Sequence, residues 1–171
     1  ETQIEEKLNE YAIDVAGAVK WVIAAIHLEP DEKVDKAVSL HQQRELIPIS
    51  VRNLIEEKLE GQYRFIVFHS SFETILLVAI DKDNTQTGLI ALLGDICKET
   101  KKILEVSVTI GVGESCSSLT DLSRPCYTAL NALGYRAITG PGGVICIGDM
   151  EPSGHEKLRF DSRMESELIA A

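Results

Sequence analysis

Between Gly61 and Ile80 the chain reads GQYRFIVFHSSFETILLVAI, two apolar runs, Tyr63–Phe68 and Thr74–Ile80, separated by a polar break at His69–Glu73. Runs this short and this rich in Phe, Ile, Val and Leu suit a pleated, buried surface, and the break is turn-like. The pattern predicts a hairpin, placed at the centre of a sheet. Val19–Leu28 is nearly continuous in apolar residues, as a central strand should be, and it ends near Pro30, which cannot donate to a ladder. Glu105–Gly113 alternates Val106, Val108, Ile110 and Val112 with smaller or polar residues, which predicts a half-buried strand. After a turn at Gly140–Gly143, Val144–Ile147 is a short closing strand.

Helical spacing fills the intervals. Ile4, Leu8, Tyr11 and Ala12 predict an opening amphipathic helix, read as a connector, and Asp31–Gln43 is polar and weakly helical. Ser50 caps a helix carrying Val51, Leu54, Ile55 and Leu59, with Gly61 at its end. A helix from about Thr87 to Leu104 places Ile90, Leu93, Ile96 and Ile103 on one face. Another, around Leu119–Ala137, carries Leu122, Ala129, Leu130 and Leu133; Ser118 and Asp121 open it, and Pro125 predicts a kink or restart. A last helix begins near Met164 after the polar tail Glu151–Ser162. The order predicts an α+β fold, a central, mostly antiparallel sheet flanked by helices. The expected organisation is a connector helix over 1–18, a domain over 19–150, and a linker with the start of an exit helix over 151–171.

Composition narrows the function. A chain of 171 residues is one domain with room for a core, and its net charge of −10 argues against binding a phosphate backbone. The cysteines at 97, 116, 126 and 146 have no metal or redox spacing, which predicts reduced, mostly buried thiols in a cytoplasmic protein. Ile13–Leu28 contains Asp14, Lys20 and His27 and is too short to span a bilayer. Asp81–Asn84 starts like a calcium loop, but Gln86 and Leu92 stand where glycine and glutamate are needed, so it reads as a solvated turn. Gly111-x-Gly113 lacks a third glycine, Cys116 occupying that position, and reads as a tight exit from a strand rather than a dinucleotide loop. His27 and His69 are polar residues at strand ends. Ser70 or Ser71 with His69 makes a poor nucleophile pair, since neighbours in such a turn point apart and no carboxylate orients them. Lys98, Lys101 and Lys102 form a basic cluster, read as a solvated helix face.

From Ser107 to Ile147 the sequence SVTIGVGESCSSLTDLSRPCYTALNALGYRAITGPGGVICI resembles the last third of GGDEF domains, the diguanylate cyclase family. Its Gly-Val-Gly, Ser-Ser-Leu-x-x-Leu, Ala-Leu-x-Ala-Leu-x-Tyr-Arg and Gly-x-Val elements are closer still to the degenerate GGDEF-like module of AraC-type transcription regulators, many of them two-component response regulators. The likeness extends by element order over roughly Lys20–Asp149 and implies a nucleotide-cyclase-like fold. Active relatives carry Gly-Gly-(Asp/Glu)-Glu-Phe at the hairpin tip and a metal-binding Asp at the end of the first strand. Here those positions read Ser70-Ser71-Phe72-Glu73-Thr74 and His27, with Glu29 nearby, and the inhibitory Arg-x-x-Asp is missing. A hard magnesium ion wants oxygen ligands, and phosphoryl transfer depends on that metal.

The resemblance therefore implies a domain that is not an enzyme, with no catalytic residue, metal or cofactor. It would be a regulatory or dimerisation module relaying a signal to a DNA-binding domain outside this chain. A homodimer is the expected partner; nucleic acid and membrane are not expected to touch this part directly. The alternative is a sensor of GTP or another small ligand without turnover, its cleft lined by Glu29, His69, Ser70 and Ser71. A residual enzyme with altered metal use is the third reading.

Overall fold

The computed structural model describes residues 14–30, 40–69 and 73–150. Along them run β1 (Lys20–Pro30), α1 (Leu40–Leu59), β2 (Arg64–His69), β3 (Thr74–Ile80), α2 (Gln86–Leu104) and β4 (Val106–Cys116). A 3-10 turn (Leu119–Asp121), α3 (Ser123–Gly134), α4 (Arg136–Thr139), β5 (Gly143–Cys146) and α5 (Ile147–Met150) follow. The opening helix, the 31–39 part of the weakly helical stretch, Ser70, Ser71, Phe72, and the tail with its exit helix lie outside the described residues.

The sheet order is β2-β3-β1-β4-β5. Neighbours are antiparallel except β4 and β5, which are parallel. The fold is thus α+β with a mostly antiparallel mixed sheet, as the hydrophobic pattern predicts. The hairpin is present but does not sit at the sheet's centre. β1 pairs with both β3 and β4, which pushes β2 to the edge, where its residues are half-buried or exposed while β3 is buried almost throughout. Strand order depends on these long-range pairings and leaves no trace in the local apolar run.

Period-two alternation divides the sheet into two faces. One carries Val22, Ala24 and Ile26 of β1 with Leu76, Val78 and Ile110, packed on Ile55 and Leu59 of α1 and Leu89, Leu93 and Ile96 of α2. The other carries Trp21, Ile23, Ala25, Ile75 and Leu77, packed on Ala129 and Leu133 of α3. With helices on both sides, β4 is buried on both faces from Val108 to Gly113 rather than half-buried.

Gly111 and Gly113 seat α3. A Cβ at Gly111 would lie 2.5 Å from the Leu133 backbone nitrogen, and one at Gly113 would lie 2.8 Å from that of Ala129. The glycines therefore do not mark the strand's exit; β4 continues to Cys116 and they mark where a helix backbone touches it.

Several element ends also differ from the pattern. α1 begins at Leu40 and runs through Pro48, so Ser50 is internal and caps nothing. Pro125 falls in the first turn of α3, where its missing N–H is no loss, after a 3-10 turn capped by the Ser118 hydroxyl. This is the restart the sequence predicts. Ile103 and Leu130, expected on the packed faces, are 62% and 42% exposed. Ile147 opens α5 instead of ending β5. All four thiols are free, but only Cys97 is fully buried, and burial pushes it up to about 11. No helix among the described residues is long and apolar enough to cross a membrane.

Candidate functional site

At the tip end of the hairpin, β1, the residue before β3 and α4 meet around His27 and Glu29. His27 lies near the end of β1 and Glu73 just before β3. His27 Nδ1 is 3.0 Å from both Glu73 carboxylate oxygens, and its Nε2 is 3.6 Å from Glu29 Oε1. Arg136, the first residue of α4, places Nε 3.3 Å from the same Glu29 oxygen and donates from Nη1 to the Leu133 carbonyl at 3.2 Å. The residues are partly sheltered, with 26% of the His27 side chain and 16% of the Glu73 side chain exposed.

The pleat explains the grouping. Ile26 pairs with Thr74, and Thr74 with His69, so these three side chains share the face covered by α1 and α2. His27 and Glu29 alternate to the opposite face, the side of α3 and α4. Accordingly His69 Nδ1 bonds the Thr74 hydroxyl at 2.9 Å, while Glu29 engages His27 and Arg136. Of the four residues predicted to line a cleft, Glu29 and His69 are thus directed to opposite faces of the sheet, and Ser70 and Ser71 lie outside the described residues.

Sequence reasoning did not assign Glu73 or Arg136 to the site. Glu73 is the one acidic residue of the hairpin break, and Arg136 closes the Ala-Leu-x-Ala-Leu-x-Tyr-Arg element. Both signals were in the sequence; what was missing was the register that turns Glu73 toward His27 and the packing that brings Arg136 to Glu29.

The imidazole thus lies between two carboxyl groups, one at each ring nitrogen, and the Arg136 guanidinium stands on the far side of Glu29. A divalent ion does not fit this arrangement. Glu73 and Glu29 sit at opposite nitrogens of the ring, so their oxygens do not close around a common point, and a hard cation needs several converging oxygens. Among the described residues no group of three His, Cys, Asp or Glu side chains is placed to hold a metal.

The base of the same hairpin is held by a second network. Arg64 meets Asp81 through Nη2 to Oδ1 at 2.6 Å and Nε to Oδ2 at 3.0 Å, and its Nη1 reaches Asp14 Oδ1 at 3.0 Å and the Ala16 carbonyl at 2.8 Å. The Arg64 guanidinium holds the Asp81 carboxyl below the usual carboxylate range.

Among solved structures, the active GGEEF domain of a diguanylate cyclase from Vibrio cholerae superposes with a TM-score of 0.59 at 9% identity, covering 85% of this chain and 90% of that one. The GGDEF domain of DgcB from Caulobacter crescentus, in complex with c-di-GMP, gives 0.56 at 13% identity over 85% of this chain and 89% of that one. The diguanylate cyclase SiaD from Pseudomonas aeruginosa, in complex with its activator SiaC, gives 0.60 at 15% identity over 85% and 57%. These identities establish a shared fold and nothing about chemistry. No curated protein matches the sequence. A family profile described as the GGDEF-like domain matches residues 1–135, most of the chain, and the protein belongs to that family.

Proposed function

We propose that this domain is a non-catalytic relay module of an AraC-type transcription regulator, passing a signal to a DNA-binding domain outside this chain. The observation that carries the non-catalytic half is the pairing of His27 with Glu73. The resemblance puts metal ligands at the positions of His27 and Phe72 in active relatives; here neither residue is a carboxylate, and His27 is engaged by the neighbouring Glu73. Without that metal, phosphoryl transfer loses both its charge stabilisation and its positioning. What supports the regulatory half is the likeness of Ser107–Ile147 to the modules of AraC-type regulators. A homodimer in the cytoplasm is the expected working form.

Incubation with GTP and magnesium or manganese, followed by an assay for cyclic dinucleotide, tests this reading. No product and no heat in a calorimetric titration are expected. Product above a protein-free blank overturns it, and saturable binding without product shifts the assignment to a nucleotide sensor.

A further inference from the structure

A second concave region lies away from the hairpin tip, between α2, the start of β4 and the turn that leads into β5. This cleft of about 550 Å3 is lined mainly by apolar groups, among them Ile90, Val108, Pro141 and Val144, with Lys98 and Lys101 also in its wall. Its size is within the range of small-molecule sites, which are typically apolar with a few placed polar groups. The Lys98 side chain is 80% exposed, with Nζ 3.1 Å from Asp95 Oδ1, and Lys101 Nζ is 3.3 Å from the Ser107 hydroxyl. Two of the three lysines read from sequence as a solvated face therefore border an apolar cleft, on a chain whose net charge is −10.

A glycine inside α2 points to the same place. A Cβ at Gly88 would meet the Tyr63 hydroxyl at 3.0 Å, so packing there calls for a small residue. At Gly94, which also lines the cleft, a Cβ would meet nothing within 4 Å among the described residues. An interior helical glycine costs about 1 kcal/mol relative to alanine. α2 carries that cost at a position where packing does not ask for it, and Gly94 leaves this part of the cleft wall without a side chain.

We propose that this cleft binds a small amphipathic anion, an aromatic or short acyl body resting on the apolar floor with a carboxylate, sulfonate or phosphate between Lys98 and Lys101. The proposal concerns a site separate from the hairpin tip and stands independently of the relay reading.

Titrating the full chain with 2-naphthalenesulfonate, followed by two-dimensional amide NMR, tests it. Saturable shifts confined to the amides around Gly94, Lys98, Gly142 and Val144 are expected. Replacing both lysines (Lys98→Ala with Lys101→Ala) weakens binding about tenfold, and the neutral 2-naphthalenemethanol binds about tenfold more weakly than the sulfonate. Gly94→Leu fills the cleft and abolishes saturation while thermal stability is kept or raised. Shifts scattered outside the cleft, no saturation below about 10 mM, equal affinity for the neutral probe, or unchanged binding by Gly94→Leu would each overturn the proposal.

Discussion

At the base of the β2–β3 hairpin Arg64 bridges Asp81 and Asp14; at its tip His27 bridges Glu73 and Glu29. Both set a nitrogen-bearing side chain between two carboxyl groups, each tying the hairpin to chain outside it. At the base the guanidinium fork matches the Asp81 carboxylate with two parallel bonds and still reaches the Ala16 carbonyl, pinning the segment that leads into β1. At the tip the imidazole offers one nitrogen to each side, so Glu73 shares a single Nδ1 and Glu29 stays at 3.6 Å. Arg136 then supports Glu29 from α4. The base has an evident structural role, and the tip repeats its logic around His27, one of the positions where the family resemblance places a metal ligand. That parallel supports the proposed reading of the tip as a structural joint.

The comparison breaks most severely through the surface on which α3 rests. Gly111→Ala forces its methyl into the Ala129 and Leu133 backbone, which cannot swing aside as a side chain can. A loss of about 3 kcal/mol by denaturant unfolding is expected, with the Arg136–Glu29 contact disturbed and the base network intact. Next in size is Arg64→Met, which removes the forked pair and leaves the Ala16 carbonyl without its guanidinium donor. About 2 kcal/mol should be lost, as a lower denaturant midpoint at unchanged slope.

The tip pair is smaller. A double-mutant cycle on His27→Ala and Glu73→Ala should return a coupling of about 1 kcal/mol, as for a partly sheltered hydrogen-bonded pair. A coupling of zero would mean that the two side chains merely lie together. The smallest effect is the response to acid. Asp81 is depressed in the folded state, so its contribution is complete above its unfolded value near 4 and is lost as pH falls through the lower folded value. Stability curves from about pH 5 to pH 2 should therefore flatten in Arg64→Met relative to the parent chain; an unchanged acid limb would contradict the assignment.

Most elements were legible because their apolar periods are strong and local. Thr74–Ile80 has no plausible alternative to a buried strand, and Pro125 announces the restart at α3. What escaped depends on partners distant in sequence. The hairpin's edge position follows from β1 taking both of its neighbours, and the role of Gly111 appears only when the α3 backbone is laid against it. Ile103 shows another limit. It lies seven residues after Ile96 and so nearly in phase with it, yet it is 62% exposed, because helical period gives angle and not reach along the axis. The site was half visible for the same reason. His27 and Glu29 could be placed at the end of β1, but only the register directs His69 to the other face and brings Glu73 and Arg136 in its place.

The central claim is that His27, and not a metal ion, joins the carboxylates at the tip. Manganese titration observed by paramagnetic broadening of amide signals tests it most directly. Broadening at His27, Glu29, Glu73 and Thr74 no stronger than at the exposed turn residue Asp83 is the predicted result. Selective loss of the tip signals at low manganese, while Asp83 persists, would show a metal site there and contradict the account.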